Sequence, residues 1–207
     1  MAYDRRMQTT DRFRAAAAAY TTIVSRIGAE DWDRPGLGQW SVRSLAGHGA
    51  RALTTVVDYL QRPAVTRDVP DTTAYFLAAH GHDAEVAARG EQAGLALGPD
   101  PAATVAGLAT AATAAVDAAM AGGGDPLLPT AGGGMLLSEY LPTRCFELTV
   151  HGLDLARACG FPAGLDPELV ADAAELAARV GIRAGSAETL LLALTGRADL
   201  PPRFTVL

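Results

Sequence analysis

Residues 144–160, with the sequence RCFELTVHGLDLARACG, place ionisable side chains at regular intervals in a largely apolar stretch. At about 100° per residue in an α-helix, Arg144, Glu147, His151 and Asp154 fall within an arc of about 80°. Such a narrow polar stripe is not typical of a solvent-exposed helix face. It indicates a buried network that fixes the register of the helix, a surface pair of Glu147 and His151, or ligands for a shared group.

His48 lies in a distant part of the chain and could join this stripe. Ser41 is a suitable N-cap for a helix that contains His48 and ends near Leu60. A histidine alone on such a face is more often a hydrogen-bonded core residue than a ligand. Two imidazoles and one carboxylate, however, are the ligand set of many catalytic zinc sites with an open fourth position. Because helix bundles build metal sites from inward-facing residues, His48, Glu147 and His151 are candidate ligands of a divalent cation.

The composition favours a single helical domain without a polyanionic partner. The chain has 207 residues, of which 49% are hydrophobic and 19% charged, and alanine is abundant. The formal net charge is −6, and no basic cluster stands out that could neutralise phosphates. We therefore expect neither a nucleic-acid partner nor an anionic membrane partner.

The sequence also predicts a soluble, cytoplasmic protein with reduced cysteines. No stretch is expected to cross a bilayer, and the polar N-terminal residues lack the apolar core of a secretory signal. If Cys145 and Cys159 lie on one helix, about 21 Å separates them, which excludes a disulfide. They are expected to be packing residues or free thiols.

Apolar periodicity and capping residues predict an all-α fold, an antiparallel four-helix bundle with a short C-terminal helical extension. The predicted domain boundary divides residues 1–160, the bundle, from residues 161–207, the extension and tail. Outside the helices, the glycine-rich segment 121–135 is expected to be irregular and the last five residues could form one strand. No other strand pattern is visible. The helices are expected at about residues 10–26, 41–60, 71–97, 101–121, 138–160, 166–180 and 186–195.

Four further residues could support the candidate site. Arg144 and Asp154 are the candidates for catalytic roles: Arg144 could meet a substrate or cofactor carboxylate or neutralise Glu147, and Asp154 could hold a ligand histidine or form a local ion pair. Arg51 lies one turn beyond the second-helix histidine, and a surface position is favoured for it. Trp40, which precedes the helix cap, is expected to be a hydrophobic staple rather than a ligand platform.

Two other features have competing interpretations. His80 and His82 would diverge by about 160° on a helix, so they are expected to lie on a solvated surface rather than to share a metal. The segment 121–135 precedes the helix that carries Glu147. It could be a mobile lid over the site or a plain connector.

Two segments resemble the signature regions of the mycothiol-dependent maleylpyruvate isomerase family. They are GQWSVRSLAGHGAR, residues 38–51, and LSEYLPTRCFELTVHGLDLARACG, residues 137–160. The family pattern is a Trp-Ser/Thr-Val lead into a helix that bears a metal histidine. A second motif follows later in the chain. It consists of Arg, then Glu after two intervening residues, then His-Gly after three more, and finally Asp-Leu. All these positions are present in order, and the resemblance covers about residues 5–160.

The resemblance implies a DinB-like metal-binding four-helix bundle. It implies that His48, Glu147 and His151 bind a divalent metal, with zinc as the expected metal, and that an open coordination position faces a thiol cosubstrate. In the family this thiol is mycothiol, and its metal-activated sulfur would add to a small electrophilic substrate for S-transfer or isomerisation. The alternatives are a non-catalytic metal- or ligand-binding protein and a metal-dependent hydrolase. A homodimer is also compatible with the alanine-rich helix faces.

The chain differs from the isomerase itself after the bundle. In that enzyme a C-terminal α/β domain follows and helps to form the active site. Here 47 residues follow Gly160, too few for such a domain. The resemblance is therefore to a short form, for which the isomerisation of maleylpyruvate does not follow from the metal motif.

Overall fold

The structure, a computed structural model, describes residues 2–78 and 83–206, and most of these residues are helical. Two short strands, β1 (Leu127–Thr130) and β2 (Gly133–Leu136), interrupt the helical pattern. The helices are α1 (Ala2–Ser25), α2 (Val42–Leu60), α3 (Thr72–Ala78), α4 (Asp83–Ala96), α5 (Pro101–Met120), α6 (Leu137–Cys159), α7 (Pro167–Gly181) and α8 (Ala187–Leu194).

Four long helices enclose the core. Around the bundle they follow the order α1, α5, α2, α6, and each packs on the next, with α6 closing the ring against α1. The predicted all-α four-helix bundle is confirmed. Apolar side chains at helical spacing account for it, because each helix buries one face. The largest fully buried side chains include Phe13, Tyr20, Leu45, Leu53, Tyr140, Leu148 and Leu155.

Capping residues set the boundaries of the two helices that matter most for the site. Ser41 caps α2, and its side-chain oxygen accepts a hydrogen bond from the Ser44 backbone N–H at 3.2 Å, as predicted. Gly160 ends α6 with φ of 75°, a left-handed conformation that glycine adopts without strain. These caps fix the ends of α2, which carries His48, and of α6, which carries Glu147 and His151.

Two predicted helix boundaries were wrong. The first helix begins at Ala2 rather than near Thr10. The single helix expected over about residues 71–97 is two helices, α3 and α4. Their separation has a packing reason, since α3 contacts α6 and α7 whereas α4 contacts α2. The predicted surface position of His80 and His82 falls outside the described residues.

The glycine-rich segment before α6 contains a β-hairpin, so the prediction of an irregular segment was wrong. β1 and β2 pair antiparallel, with Leu128 opposite Met135 and both side chains buried. The segment that follows α2 fastens the hairpin from outside. Asp68 donates its backbone N–H to the Gly134 carbonyl at 2.8 Å and accepts the Gly134 N–H on its carboxylate at 2.8 Å. The triple glycines gave no strand signal in the sequence, and hydrogen bonds from a distant segment stabilise the two strands.

The C-terminal extension is helical, as predicted, but its expected final strand is wrong for the described residues 203–206. The Phe204 N–H bonds to the Pro201 carbonyl at 3.0 Å, and Arg203 has φ of 59°. This turn is incompatible with an extended strand at Arg203. Upstream, α7 and α8 meet across residues 182–186, where Gly185 has φ of 91°.

Helix α5 has the length and composition of a membrane-spanning helix, contrary to the expectation that no segment would qualify. Its length is 20 residues, and alanine, threonine and valine dominate its sequence. One face of α5, with Val105, Ala109, Ala112 and Val116, is buried against α1 and α2. Burial in the bundle thus accounts for the apolar residues of this face, which is 22% of the apolar window of α5.

Candidate metal centre

Two neighbouring helices bring three potential metal ligands together. His48 lies on α2, and Glu147 and His151 lie one turn apart on α6. One ligand atom from each side chain lies within 4.8 Å of the other two. Ligands bound at about 2.0–2.2 Å in a tetrahedral site lie roughly 3.4 Å apart, so small side-chain rotations would let these three meet one cation.

Hydrogen bonds on both ring nitrogens orient His151. Its Nε2 lies 3.1 Å from Glu147 Oε2, and its Nδ1 lies 3.3 Å from Asp154 Oδ2. Burial alone would lower the pKa of His151, but the bonds to Asp154 and Glu147 raise it to about 9. Asp154 thus lies behind the ring, where it fixes the tautomer that presents Nε2 to the candidate site.

The pKa of Glu147, which accepts a hydrogen bond from His151, is also perturbed. Burial would raise the pKa of Glu147, but the hydrogen bond from His151 and the positive charge of Arg144 lower it well below its usual value. Glu147 is therefore an anion at neutral pH, as a ligand carboxylate must be.

Ring packing, not hydrogen bonding, orients His48. Its Nδ1 is buried and has no hydrogen-bond partner among the described residues. The indole of Trp40 lies on its ring at a centroid distance of 4.5 Å, and the His151 ring meets it edge-on at 4.8 Å. Burial, and next the charge of His151, lower the pKa of His48 to about 4, so its imidazole is neutral and free to donate a lone pair.

A gap between α2 and α4 accommodates the Trp40 ring. A Cβ atom built at Gly90 would lie 2.6 Å from this indole, so only glycine leaves the room. The helices approach closely there, since a Cβ at Gly47 would lie 2.2 Å from the Gly94 nitrogen. Trp40 therefore packs against the ring of His48, a candidate ligand, which is a role beyond the predicted hydrophobic staple.

We expect Trp40→Ala to weaken zinc affinity about ten- to a hundredfold, the effect of losing a partner that orients a ligand. Trp40→Phe, which keeps an aromatic ring on His48, should restore most of the affinity. Competition against a chromophoric chelator measures the constant, and the absorption spectrum of the cobalt-substituted protein reports on ligand geometry. Equal affinities for the alanine variant and the wild type would contradict this role for Trp40.

A cavity of about 410 Å³ opens beside the candidate ligands, and we call it the metal cavity. His48 and Glu147 are among its lining residues. Aromatic and cationic side chains line it too, and so do Ala131 and Gly132 of the hairpin turn. The aromatic and cationic residues are Tyr59, Tyr75, Phe76, Tyr140, Arg51, Arg89 and Arg144. This size is typical of a small-molecule site.

Arg144 carries a buried positive charge in the wall of the metal cavity. The residue is 7% exposed, and its guanidinium lies 4.7 Å from the Tyr140 ring centroid. It donates hydrogen bonds to the Thr143 hydroxyl at 2.9 Å and the Tyr75 hydroxyl at 3.4 Å. Within the described part of the chain, no carboxylate lies within 4 Å of it. Burying a guanidinium without a carboxylate in direct contact is costly, and the anionic group of a ligand would offset that cost.

The sequence did not identify the three tyrosines of this cavity as site residues. Tyr140 lies one turn before Arg144 on the polar stripe of α6, so the helical periodicity could have found it. Tyr59 shares the face of α2 that carries His48, which gave a similar signal. Tyr75 comes from α3, and no local spacing connects it with the other two.

Neither cysteine belongs to the candidate site. Both are free, as predicted. Cys145 borders a separate cavity of about 370 Å³ among α1, α6 and α7, on the opposite face of α6. Burial raises the pKa of its thiol to about 12, so it is not a nucleophile at neutral pH.

The sequence matches the model of a known protein family. The family described as the mycothiol maleylpyruvate isomerase N-terminal domain matches residues 13–156, about two thirds of the chain. The match contains all three candidate ligands as well as Trp40, Arg144 and Asp154. No curated protein and no solved structure matches the chain significantly.

Proposed function

The chain belongs to the mycothiol maleylpyruvate isomerase N-terminal domain family, and on this basis we propose that it is a metal-dependent enzyme that activates a thiol. The family indicates a mycothiol-related, DinB-like metal-binding function. Within that frame, the proposed reaction is S-transfer from mycothiol to a small electrophile, or thiol-assisted isomerisation of that electrophile. Zinc is the proposed metal.

The convergence of His48, Glu147 and His151 beside an accessible cavity carries this proposal. The donors fit a divalent cation: one carboxylate, one neutral imidazole with a buried, unpartnered nitrogen, and one imidazole oriented by a carboxylate behind it. Three protein ligands leave a coordination position for a substrate atom. When bound, the cation supplies Lewis acidity that lowers the pKa of a thiol.

The protein's own residues then perform three tasks. His48 and Glu147 hold the cation at the end of the metal cavity, and Asp154 keeps the Nε2 lone pair of His151 directed at it. The tyrosine-lined wall excludes water around the reacting atoms. Arg144 provides a positive charge to an anionic group of the electrophile. This substrate-binding role is favoured over simple neutralisation of Glu147, because the Arg144 guanidinium and the Glu147 carboxylate are more than 4 Å apart.

Two observations support this proposal over its alternatives. A purely structural metal site would be closed by four protein ligands, whereas a cavity of about 410 Å³ is lined by two of the three candidate ligands, His48 and Glu147. A hydrolase would need an acid or base next to the bound water. Asp154 is engaged with His151 Nδ1, on the ring edge away from Glu147, and so is poorly placed for that role.

A thiol-conjugation assay tests the proposed function. The zinc-loaded protein is mixed with mycothiol and an aryl chloride; a C–S bond forms, chloride leaves and the thiol proton passes to the solvent. We expect turnover that is saturable in mycothiol and abolished by metal removal, and restored by added zinc. The same assay with maleylpyruvate tests isomerisation. A rate that is unchanged after metal removal would contradict a metal-activated thiol.

Zinc binding is expected to release about one proton at pH 7.5. In the metal-free protein the pKa of His151 is raised to about 9, so its ring is protonated at this pH, whereas His48 is already neutral. The cation must displace the His151 proton, so its affinity should rise about tenfold per pH unit up to about pH 9. Calorimetric titration in buffers of different ionisation enthalpy measures the number of protons released per zinc bound. Zinc binding without proton release would contradict coordination by His151.

The same shifts predict the pH dependence of the metal-free protein. The raised His151 pKa contributes stability that is present below about pH 6.5 and is lost as the pH rises through 9. The lowered His48 pKa acts in the opposite direction, since stability falls as the pH drops from 6.5 towards 4. These two residues thus favour a stability maximum near pH 6.5, and bound zinc should remove the alkaline loss.

A further inference from the structure

Three tyrosine hydroxyls lie in the wall of the metal cavity, and their hydrogen bonds differ. Tyr59 comes from α2, Tyr75 from α3 and Tyr140 from α6. A phenol hydroxyl has only one hydrogen, so it can donate to a ligand only where that hydrogen has no acceptor in the protein. The partners of each hydroxyl therefore show which of the three can act as a donor in the cavity.

The hydrogen of the Tyr140 hydroxyl is already used. It is donated to Thr55 Oγ1 at 2.9 Å, and the Thr55 hydroxyl in turn donates to the Arg51 carbonyl at 2.8 Å. This short chain ends on a backbone acceptor of α2. A ligand could take the Tyr140 hydrogen only by breaking the chain, so Tyr140 is a part of the wall and not a donor.

The hydrogen of the Tyr75 hydroxyl, in contrast, has no acceptor among the described residues. The hydroxyl oxygen accepts a hydrogen bond from Arg144 Nη2 at 3.4 Å, so its own hydrogen must point away from the guanidinium. Edge-on contacts with Phe76 and Tyr140, both at centroid distances of 5.7 Å, hold the ring in place. The O–H group is thus oriented before any ligand binds, and it is available to a molecule in the metal cavity.

Tyr59 is the rival donor. Its hydroxyl bonds to the backbone of Ala131 in the hairpin turn, and the residue also lines a third cavity, of about 550 Å³, between α2, α4 and α5. Among the described residues, the hydrogen bonds of Arg144 go to Thr143 and Tyr75. Tyr75 is therefore the tyrosine that is bonded to the charge proposed to hold the substrate.

Arg144 connects the Tyr75 hydroxyl with the proposed electrophile. A guanidinium has five N–H groups, and Arg144 uses one for the Thr143 hydroxyl and one for the Tyr75 hydroxyl. Its Nη1 group remains for the carboxylate of an electrophile. A carbonyl group of the same molecule can then meet the Tyr75 hydroxyl, in the cavity that His48 and Glu147 also line.

We propose that Tyr75 donates a hydrogen bond to the carbonyl oxygen of the electrophile, on which negative charge develops during isomerisation. The inference rests on the proposed function for the thiol and the metal. Sulfur bonds to one carbon of the C=C bond conjugated with the carbonyl, and the π electrons move to the carbonyl oxygen. After rotation about the resulting single bond the electrons return and the C–S bond breaks. The thiolate is regenerated, and Tyr75 keeps its proton throughout.

The test compares two electrophiles on the zinc-loaded full chain with mycothiol. Maleylpyruvate develops negative charge on a carbonyl oxygen, whereas benzyl chloride has no carbonyl and its negative charge leaves with chloride. In Tyr75→Phe, we expect the ratio of kcat for maleylpyruvate to kcat for benzyl chloride to fall about a hundred- to a thousandfold, the effect of removing one donor to a developing oxyanion. The zinc content and the KM for mycothiol should change less than twofold.

Two further variants separate this role from the loss of any tyrosine hydroxyl. Tyr20→Phe removes a buried hydroxyl that donates to the Ala46 carbonyl at 2.8 Å and does not line the metal cavity, so the ratio should not change. A fall of the ratio in Tyr59→Phe but not in Tyr75→Phe would assign the donor to Tyr59 and overturn the inference. Equal losses for both electrophiles in Tyr75→Phe would also overturn it, because Tyr75 would then affect only the shape of the cavity.

Calorimetry with an enolate analogue separates this inference from the proposed function. The nitronate of 3-nitropropionate has a carboxylate and an enolate-like anionic group, whereas propionate has the carboxylate alone. We expect Tyr75→Phe to bind the nitronate about ten- to a hundredfold more weakly than the wild type and to bind propionate equally well. This result would support the inference even if no thiol reaction occurs, an outcome that would overturn only the proposed function. Equal nitronate affinities would overturn the inference and leave an observed thiol reaction intact.

Discussion

Replacing His151 with alanine is expected to abolish stoichiometric zinc binding. The variant keeps His48 and Glu147 but loses the ligand that Asp154 orients, and the affinity should fall by more than about a hundredfold, since loss of an orienting partner alone costs about ten- to a hundredfold. Elemental analysis after dialysis against a zinc buffer measures the metal content. We expect about one zinc per chain in the wild type and a small fraction of that in the variant.

Two further variants exclude unfolding as the cause. Glu147→Gln preserves the shape of the side chain and its hydrogen bonds but removes the anionic oxygen, so it should also lose zinc while the helical circular dichroism is retained. Asp154→Asn leaves all three ligands in place and should retain zinc with reduced affinity. Full zinc content in either His151→Ala or Glu147→Gln would refute the proposed site and the chemistry that depends on it.

Replacing Arg144 with methionine is expected to reduce activity and increase stability at the same time. Removing one partner of a buried charge pair costs about 2–5 kcal/mol, so kcat/KM for an electrophile with a carboxylate should fall at least about thirtyfold. In the free protein, however, no described carboxylate lies within 4 Å of this guanidinium, and Glu147, which attracts it from a longer distance, already has His151 as its hydrogen-bond partner. An apolar replacement of similar length should therefore stabilise the protein by about 1 kcal/mol, or about 2–4 °C in Tm.

A neutral substrate is the control for this prediction. For an esterified electrophile of the same skeleton, wild type and Arg144→Met should differ little, because no anion is present to be recognised. Arg144→Lys keeps the charge but loses the planar fork, and it should have intermediate activity. If Arg144→Met instead lowers Tm and leaves kcat/KM unchanged for both substrates, Arg144 stabilises the tyrosine cluster and does not bind the substrate.

Much of the candidate site could be predicted from helical periodicity. The stripe of Glu147, His151 and Asp154 needed only the geometry of one helix, and the structure places hydrogen bonds along it. The pairing of His48 with this stripe depended on the ligand chemistry of two imidazoles and one carboxylate and on the family resemblance, because no local rule states that α2 and α6 are neighbours. Trp40 was noted in the sequence because it precedes a helix cap. Its contact with His48 could not be predicted, because it depends on the space that Gly90 on α4 leaves for the indole.

The fold errors share one cause, tertiary contacts that override local preferences. The hairpin before α6 forms although glycines flank it, because Asp68 and Ala64 hydrogen-bond its strands from outside. Composition gave no signal for these partners. Similarly, the sequence pattern of residues 71–97 is that of one continuous helix. The segment forms two helices because α3 packs on α6 and α7 whereas α4 packs on α2.

The hairpin turn at Ala131 and Gly132 gives the metal cavity one wall that is not made of bundle helices. Its strands are fastened to the segment after α2, so a change of loop length at the tip would leave the four-helix scaffold and its ligand geometry undisturbed. Replacing this turn with a longer or bulkier one should therefore change which electrophiles enter the cavity without changing the geometry of the candidate metal ligands. In this proposal the bundle helices hold the reactive groups, whereas the hairpin turn can vary, by evolution or by engineering, to give new substrate selectivity.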